Sequence, residues 1–127
     1  MGNLSRNFSE WEFRCHCGCG EVLVDPRLVD SLQTLRDKIG HPISVISGYR
    51  CFFHNRDVGG VSDSQHLLGR AADVVVKGLE PEALATIAED IPEFKHGGIG
   101  RYDDFTHLDV RQNGPARWDE RKEKSHV

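Results

Sequence analysis

Ser64-Gln65-His66-Leu67-Leu68-Gly69-Arg70-Ala71-Ala72-Asp73-Val74-Val75-Val76 changes character halfway along. Its first part closes a polar stretch, residues 51–68, that also holds Gly59-Gly60 and reads as a long loop. An ordered loop of that length in a small domain usually carries function. Gly69 lets the chain turn, and residues 70–76 then read as a β-strand. Partly extended chain between His66 and Asp73 can fold back and bring an imidazole and a carboxylate to one point.

On either side the pattern alternates between helix and strand. Upstream, Ile43-Ser44-Val45-Ile46-Ser47 is β-branched and partly alternating, a strand that Gly48-Tyr49-Arg50 ends. Before it lies the clearest helix. Asp25 caps it, Pro26 fits its first turn, and Leu28, Leu32, Leu35 and Ile39 form one apolar face. Gly40 and Pro42 stop it. Downstream, Glu80-Pro81 starts a second helix, with Leu84, Ile87, Ala88 and Ile91 on one face. Residues 97–111 read as a hairpin turning at Asp103-Asp104. On its second strand Leu108 and Val110 face the core, which puts His107 and Asp109 together on the opposite face.

The ends are less regular. Ser9 and Glu12 have capping-box spacing for one short turn, with Trp11 and Phe13 expected to anchor it by burial. Glu21-Val22-Leu23-Val24 suggests a short strand. Residues 112–127 are polar, with Trp118 the only large aromatic. Trp118 reads as a plug docking the tail on the core or as the floor of a groove, and the last residues are expected to fray.

A chain of 127 residues with 38 % hydrophobic and 28 % charged residues fits one domain, residues 1–127, with a Cys-rich opening segment (1–20) and a polar tail (119–127). A net charge of −4 without a basic stripe excludes nucleic acid as the main partner. No apolar run reaches the roughly 18 residues of a membrane span, so membrane insertion is not expected. Nor does the start show the apolar core of a secretory signal. A monomer made in the cytoplasm is expected.

Cys15, Cys17 and Cys19 fall in Cys-His-Cys-Gly-Cys-Gly, and Cys51 lies far along the chain. Reduced structural thiols, a four-sulfur metal cluster and a disulfide to Cys51 all remain open. Residues two apart in an extended segment make poor disulfide partners.

His66, Asp73 and His107 are the candidate metal ligands. Two imidazoles and one carboxylate suit Zn²⁺ with an open fourth position, a catalytic rather than a closed structural arrangement. Asp109 either orients His107 or faces solvent. Arg111 either pairs with Asp109 or is a solvated strand-end charge. His16, His41, His96 and His126 have no evident partner, and His54 reads as a turn residue with Asn55.

The wording around the ligands is more specific than their spacing. The stretch from Ser64 to Asp73 resembles the SxHxxGxAxD signature of the zinc D-Ala-D-Ala carboxypeptidase family. Phe105-Thr106-His107-Leu108-Asp109-Val110 resembles its second zinc motif, and Ser47-Gly48-Tyr49-Arg50 the segment with its substrate arginine. The short length and the Cys-rich opening are similar to the phage-related branch. The wider group includes lysostaphin-type peptidases and hedgehog signalling domains.

The resemblance implies an α+β fold, an antiparallel sheet with flanking helices and the zinc site on the sheet. It implies zinc held by His66, Asp73 and His107. Asp104, three residues before the last ligand, becomes the acid/base, with adjacent Asp103 as the alternative. Arg50 meets a substrate carboxylate or the developing oxyanion, and Ser64 lines the site. The implied function is hydrolysis of D-amino-acid bonds in peptidoglycan stem peptides, as a carboxypeptidase and in an endolysin-like role at the cell wall. An L-Ala-D-Glu endopeptidase and a zinc-bound module without catalysis are the alternatives.

Overall fold

Asp25 opens the first helix as its capping chemistry requires, its carboxylate accepting the Arg27 N–H at 2.9 Å. Helix α1 runs Pro26–Ile39 and stops at Gly40, whose φ of 77° is left-handed. The structure is a computed structural model that describes residues 2–61 and 63–122. The end of the expected polar tail, with Glu123, Lys124 and His126, lies outside the described residues.

Five strands form one sheet: β1 (Ser44–Ser47), β2 (Ala71–Val75), β3 (Gly98–Arg101), β4 (Thr106–Asp109) and β5 (Ala116–Asp119), in the order β1-β2-β4-β3-β5. The first four pair antiparallel, as expected. The fifth pairs parallel to β3, so the expected antiparallel sheet with flanking helices carries one parallel strand at its edge. Helices α2 (Phe52–Asp57), α3 (Pro81–Ala88) and α4 (Pro92–Lys95) complete the fold with 3-10 turns at Glu10–Phe13 and Gln65–Leu68.

One side of the sheet carries the core. Leu28, Leu32 and Leu35 of α1 join Val74, Leu84, Phe94, Ile99 and Leu108, with Phe8 and Phe13 from the opening segment. Each such side chain contributes about 1.5–3 kcal/mol on leaving water. The period-two alternation of β4 sends Leu108 into this core and leaves His107 and Asp109 for the other face.

Several local expectations are revised. Trp11 is 68 % exposed while Phe13 is buried. At three residues per turn, positions two apart point in different directions, so only one of the two can be anchored. The Glu12 carboxylate does reach back to the Ser9 N–H at 2.7 Å. Residues 21–24 form no strand; Val22 and Val24 pack on the core without pairing. The long loop contains α2 and the second 3-10 turn. Among the described residues no helix is long and apolar enough to cross a membrane.

Candidate metal centre

β2 and β4 are neighbours, and their register sets Asp73 directly opposite His107. His66 arrives from the 3-10 turn Gln65–Leu68. The Ser64 hydroxyl caps that turn by accepting the His66 N–H at 3.2 Å. Gly69 closes it at φ 69°, and the Asp25 N–H pins the Gly69 carbonyl at 2.8 Å. The fold-back expected between His66 and Asp73 is therefore a capped turn feeding a central strand.

The three side chains converge on one carboxylate oxygen. Asp73 Oδ1 lies 3.3 Å from His66 Nε2 and 3.0 Å from His107 Nδ1. All three residues are buried, and their ligand atoms lie within 4.8 Å of one another. Each ring has its other nitrogen engaged. The Gly48 carbonyl accepts from His66 Nδ1 at 2.6 Å, and Asp109 Oδ2 accepts from His107 Nε2 at 2.8 Å. These partners fix opposite tautomers, leaving the Nε2 lone pair of His66 and the Nδ1 lone pair of His107 facing Asp73. The donor set of two neutral imidazoles and a carboxylate fits a divalent metal of the zinc type.

Asp109 is thus a partner of His107, not a solvent-facing strand residue. It also accepts from Arg111 Nε at 2.9 Å and Nη2 at 2.7 Å. Room for this carboxylate comes from β3: a Cβ on Gly98 would overlap Asp109, and one on Gly100 would overlap the Trp118 indole.

The two buried carboxylates set the electrostatics of the site. Burial pushes Asp73 up, but the neighbouring His107 and His66 outweigh it and hold the carboxyl well below its usual range. Burial likewise raises Asp109, and His107 and Arg111 more than reverse it. Burial alone would lower His107, yet Asp109 and Asp73 bring it above an ordinary histidine. The two carboxylates therefore favour a positive charge between them, as a proton or as a metal ion.

Arg50 lies against the same group. Its Nη2 donates to Asp73 Oδ2 at 3.2 Å, Nε to Ser47 Oγ at 3.3 Å and Nη1 to Asn55 Oδ1 at 3.2 Å. Asn55 is buried on α2 and donates through Nδ2 to the Val61 carbonyl at 2.8 Å. Sequence reading treated it as a turn residue and missed this bracing role, which needs α2 to be seen.

The centre opens into a cleft of about 540 Å³, lined among others by Arg50, Ser64, Tyr102, Trp118 and Glu120. That size lies within the range of small-ligand sites. Trp118 forms a wall. Its ring lies 4.9 Å from that of His107, and its Nε1 donates to the Tyr102 hydroxyl at 2.8 Å. The tail plug expected from sequence is thus a sheet residue on the cleft.

Asp104 is exposed in the β3–β4 turn and is not among the residues lining the cleft. Nor is Asp103, whose carboxylate accepts the Lys122 N–H at 3.1 Å. The carboxylates that do line it are Asp63, Asp73 and Glu120. His54 is not among the residues lining the cleft, and its ring lies 6.4 Å from that of His16.

Residues 6–109 match the family described as Peptidase M15. A stretch of 80 residues, 61 % of this chain, is 36 % identical to the protein named "Zinc D-Ala-D-Ala carboxypeptidase" from Streptomyces albus G. The match spans 31 % of that relative, so the chain corresponds to about a third of its length.

Proposed function

The chain belongs to the peptidase M15 family, and from that premise we propose that it is a zinc-dependent peptidase acting on peptidoglycan stem peptides at a bond to a D-amino acid. The observation that carries this reading is the buried His66–Asp73–His107 set, with both tautomers fixed and a cleft at its open side. The name of the Streptomyces relative supports D-Ala-D-Ala as the bond and zinc as the metal.

His66 through Nε2, His107 through Nδ1 and Asp73 through Oδ1 would hold the ion. Zinc bound there supplies Lewis acidity toward a substrate carbonyl and a water nucleophile near neutral pH. The chain does the rest. Gly48 and Asp109 keep each imidazole in its ligating tautomer. Arg50 lines the cleft with a planar fork suited to a carboxylate, which favours a substrate with a free C-terminus and hence carboxypeptidase action. The Ser64 hydroxyl stands beside it as a hydrogen-bonding group for substrate. Trp118 and Tyr102 exclude water from one side.

Proton transfer has two candidates. Asp104 has the family spacing, and Glu120 has the position on the cleft. We assign the role to Glu120, whose carboxylate can accept a proton from the attacking water and return it to the leaving amine. A lytic, endolysin-like role at the cell wall is the setting that fits such a substrate.

The test is hydrolysis of defined stem peptides. Zinc-loaded protein should release the terminal D-Ala from a pentapeptide ending D-Ala-D-Ala, lose that activity to a chelator and regain it with zinc. Cleavage only between L-Ala and D-Glu would move the assignment to an endopeptidase. Zinc binding with no cleavage of any stem peptide would leave a binding module.

A further inference from the structure

Among the described residues a second group of metal-ligating side chains stands outside the cleft: Cys15, Cys17, Cys19 and Cys51. Their four sulfur atoms all lie within 4.8 Å of one another. Cys15 and Cys17 are 3.5 Å apart, and Cys17 and Cys51 are 3.6 Å apart. A disulfide needs about 2.05 Å, and all four cysteines are free. A zinc ion with four thiolates at about 2.3 Å sets its sulfurs about 3.8 Å apart at the corners of a tetrahedron. The two short spacings fall just below that value, and the other pairs stay within 4.8 Å.

The backbone is shaped for convergence. Gly18 and Gly20 take left-handed φ of 89° and 78°, and a Cβ on either would meet nothing within 4 Å. Conformation, not crowding, is what calls for glycine there. These turns curl the Cys-x-Cys-Gly-Cys-Gly segment so that alternate cysteines point to one place instead of diverging. Backbone donors also face the sulfurs: the Cys51 N–H donates to Cys15 Sγ and the Glu21 N–H to Cys19 Sγ, both at 3.4 Å. Such donors stabilise thiolates.

We propose that Cys15, Cys17, Cys19 and Cys51 form a closed structural zinc site, separate from the His66–Asp73–His107 centre. Its location gives it a task. Cys51 directly follows Gly48-Tyr49-Arg50, the segment that supplies the Gly48 carbonyl to His66 and the Arg50 guanidinium to Asp73. The Tyr49 N–H donates to the Phe13 carbonyl at 2.9 Å, and a Cβ on Gly48 would overlap the Phe13 backbone. A metal joining residues 15–19 to Cys51 clamps this segment from its far end and holds those two partners of the cleft ligands in place.

Metal content and cobalt spectroscopy of the reduced whole chain test this. Purified protein should carry two zinc ions, one of them released by an organomercurial thiol reagent. Cobalt substitution should give intense thiolate-to-metal charge-transfer bands, which ligands from the cleft cannot produce. Cys17→Ser and Cys51→Ser should lose those bands and one zinc; His66→Ala should keep the bands and lose the other. The cobalt spectrum of the unaltered protein decides the matter even if a serine variant fails to fold. A single zinc without thiolate bands, or intact mass showing two disulfides after anaerobic purification, overturns the proposal. The result is independent of peptidase activity.

Discussion

Arg50 and Asp73 divide one carboxylate between two tasks. The guanidinium takes Oδ2 at 3.2 Å, and this leaves Oδ1 turned toward His66 Nε2 and His107 Nδ1. The arginine that the resemblance assigns to substrate is also a brace for a ligand. Arg50→Lys keeps the charge but not the fork that reaches Ser47, Asn55 and Asp73 together. Zinc affinity, measured by chelator competition, should fall about 10–100-fold, the usual effect of losing a partner behind a ligand. KM for a peptide with a free C-terminus should rise as well. Native zinc affinity with raised KM would confine Arg50 to substrate binding.

Asp109→Asn tests the opposite side of the centre. The amide can present its NH₂ to His107 and unsettle the tautomer that leaves Nδ1 free. Zinc affinity should drop about 10–100-fold, and Arg111 loses a charged partner it now meets through two nitrogens. Unchanged affinity would return Asp109 to a purely structural role with Arg111.

Glu120→Gln should retain zinc and lose about 100-fold or more in kcat, the scale of general acid–base catalysis. Asp104→Asn should keep most activity, because Asp104, unlike Glu120, does not line the cleft. The reverse pattern would restore the role to the β3–β4 turn.

Gly100→Ala places a methyl where the Trp118 ring lies. Overpacking of this kind costs about 1–3 kcal/mol, so urea denaturation should show a loss in that range. Displacement of the indole should also change KM more than zinc affinity. Wild-type stability would mean that β5 can shift to accept the methyl.

Asp25→Ala removes the cap of α1 and should cost about 0.5–2 kcal/mol. The Arg27 side chain, opposed by burial, holds the Asp25 carboxyl below its usual range. The sign follows from the linkage: a lowered folded value adds stability above the unfolded value of about 3.9, and the gain is lost as pH falls through the folded value. The difference between wild type and Asp25→Ala should therefore be full at pH 6 and shrink below about pH 4. A difference that does not change with pH would assign the effect to the neutral capping geometry alone.

Much of the centre was legible because it sits on regular structure. His107 and Asp109 share a strand face by simple alternation, and a helix capped at Asp25 and stopped at Gly40 is written in residue types. What was hidden depended on contacts across the chain. β5 has Trp118 as its one large apolar residue, and its parallel pairing with β3 leaves no local periodic mark. The cysteines look divergent if residues 15–20 are extended; left-handed Gly18 and Gly20 make them converge. Asp104 keeps its spacing from His107, and the variants above test its role against that of Glu120.

The stretch matched by the family ends at residue 109, two residues past the last ligand, whereas Trp118 and Glu120 on the cleft come after it. The parallel strand β5 brings them back beside β3. One part of the cleft wall is thus written in a length of chain that carries none of the three ligands. Changes in that closing segment can reshape this wall of the cleft while all three ligands stay untouched.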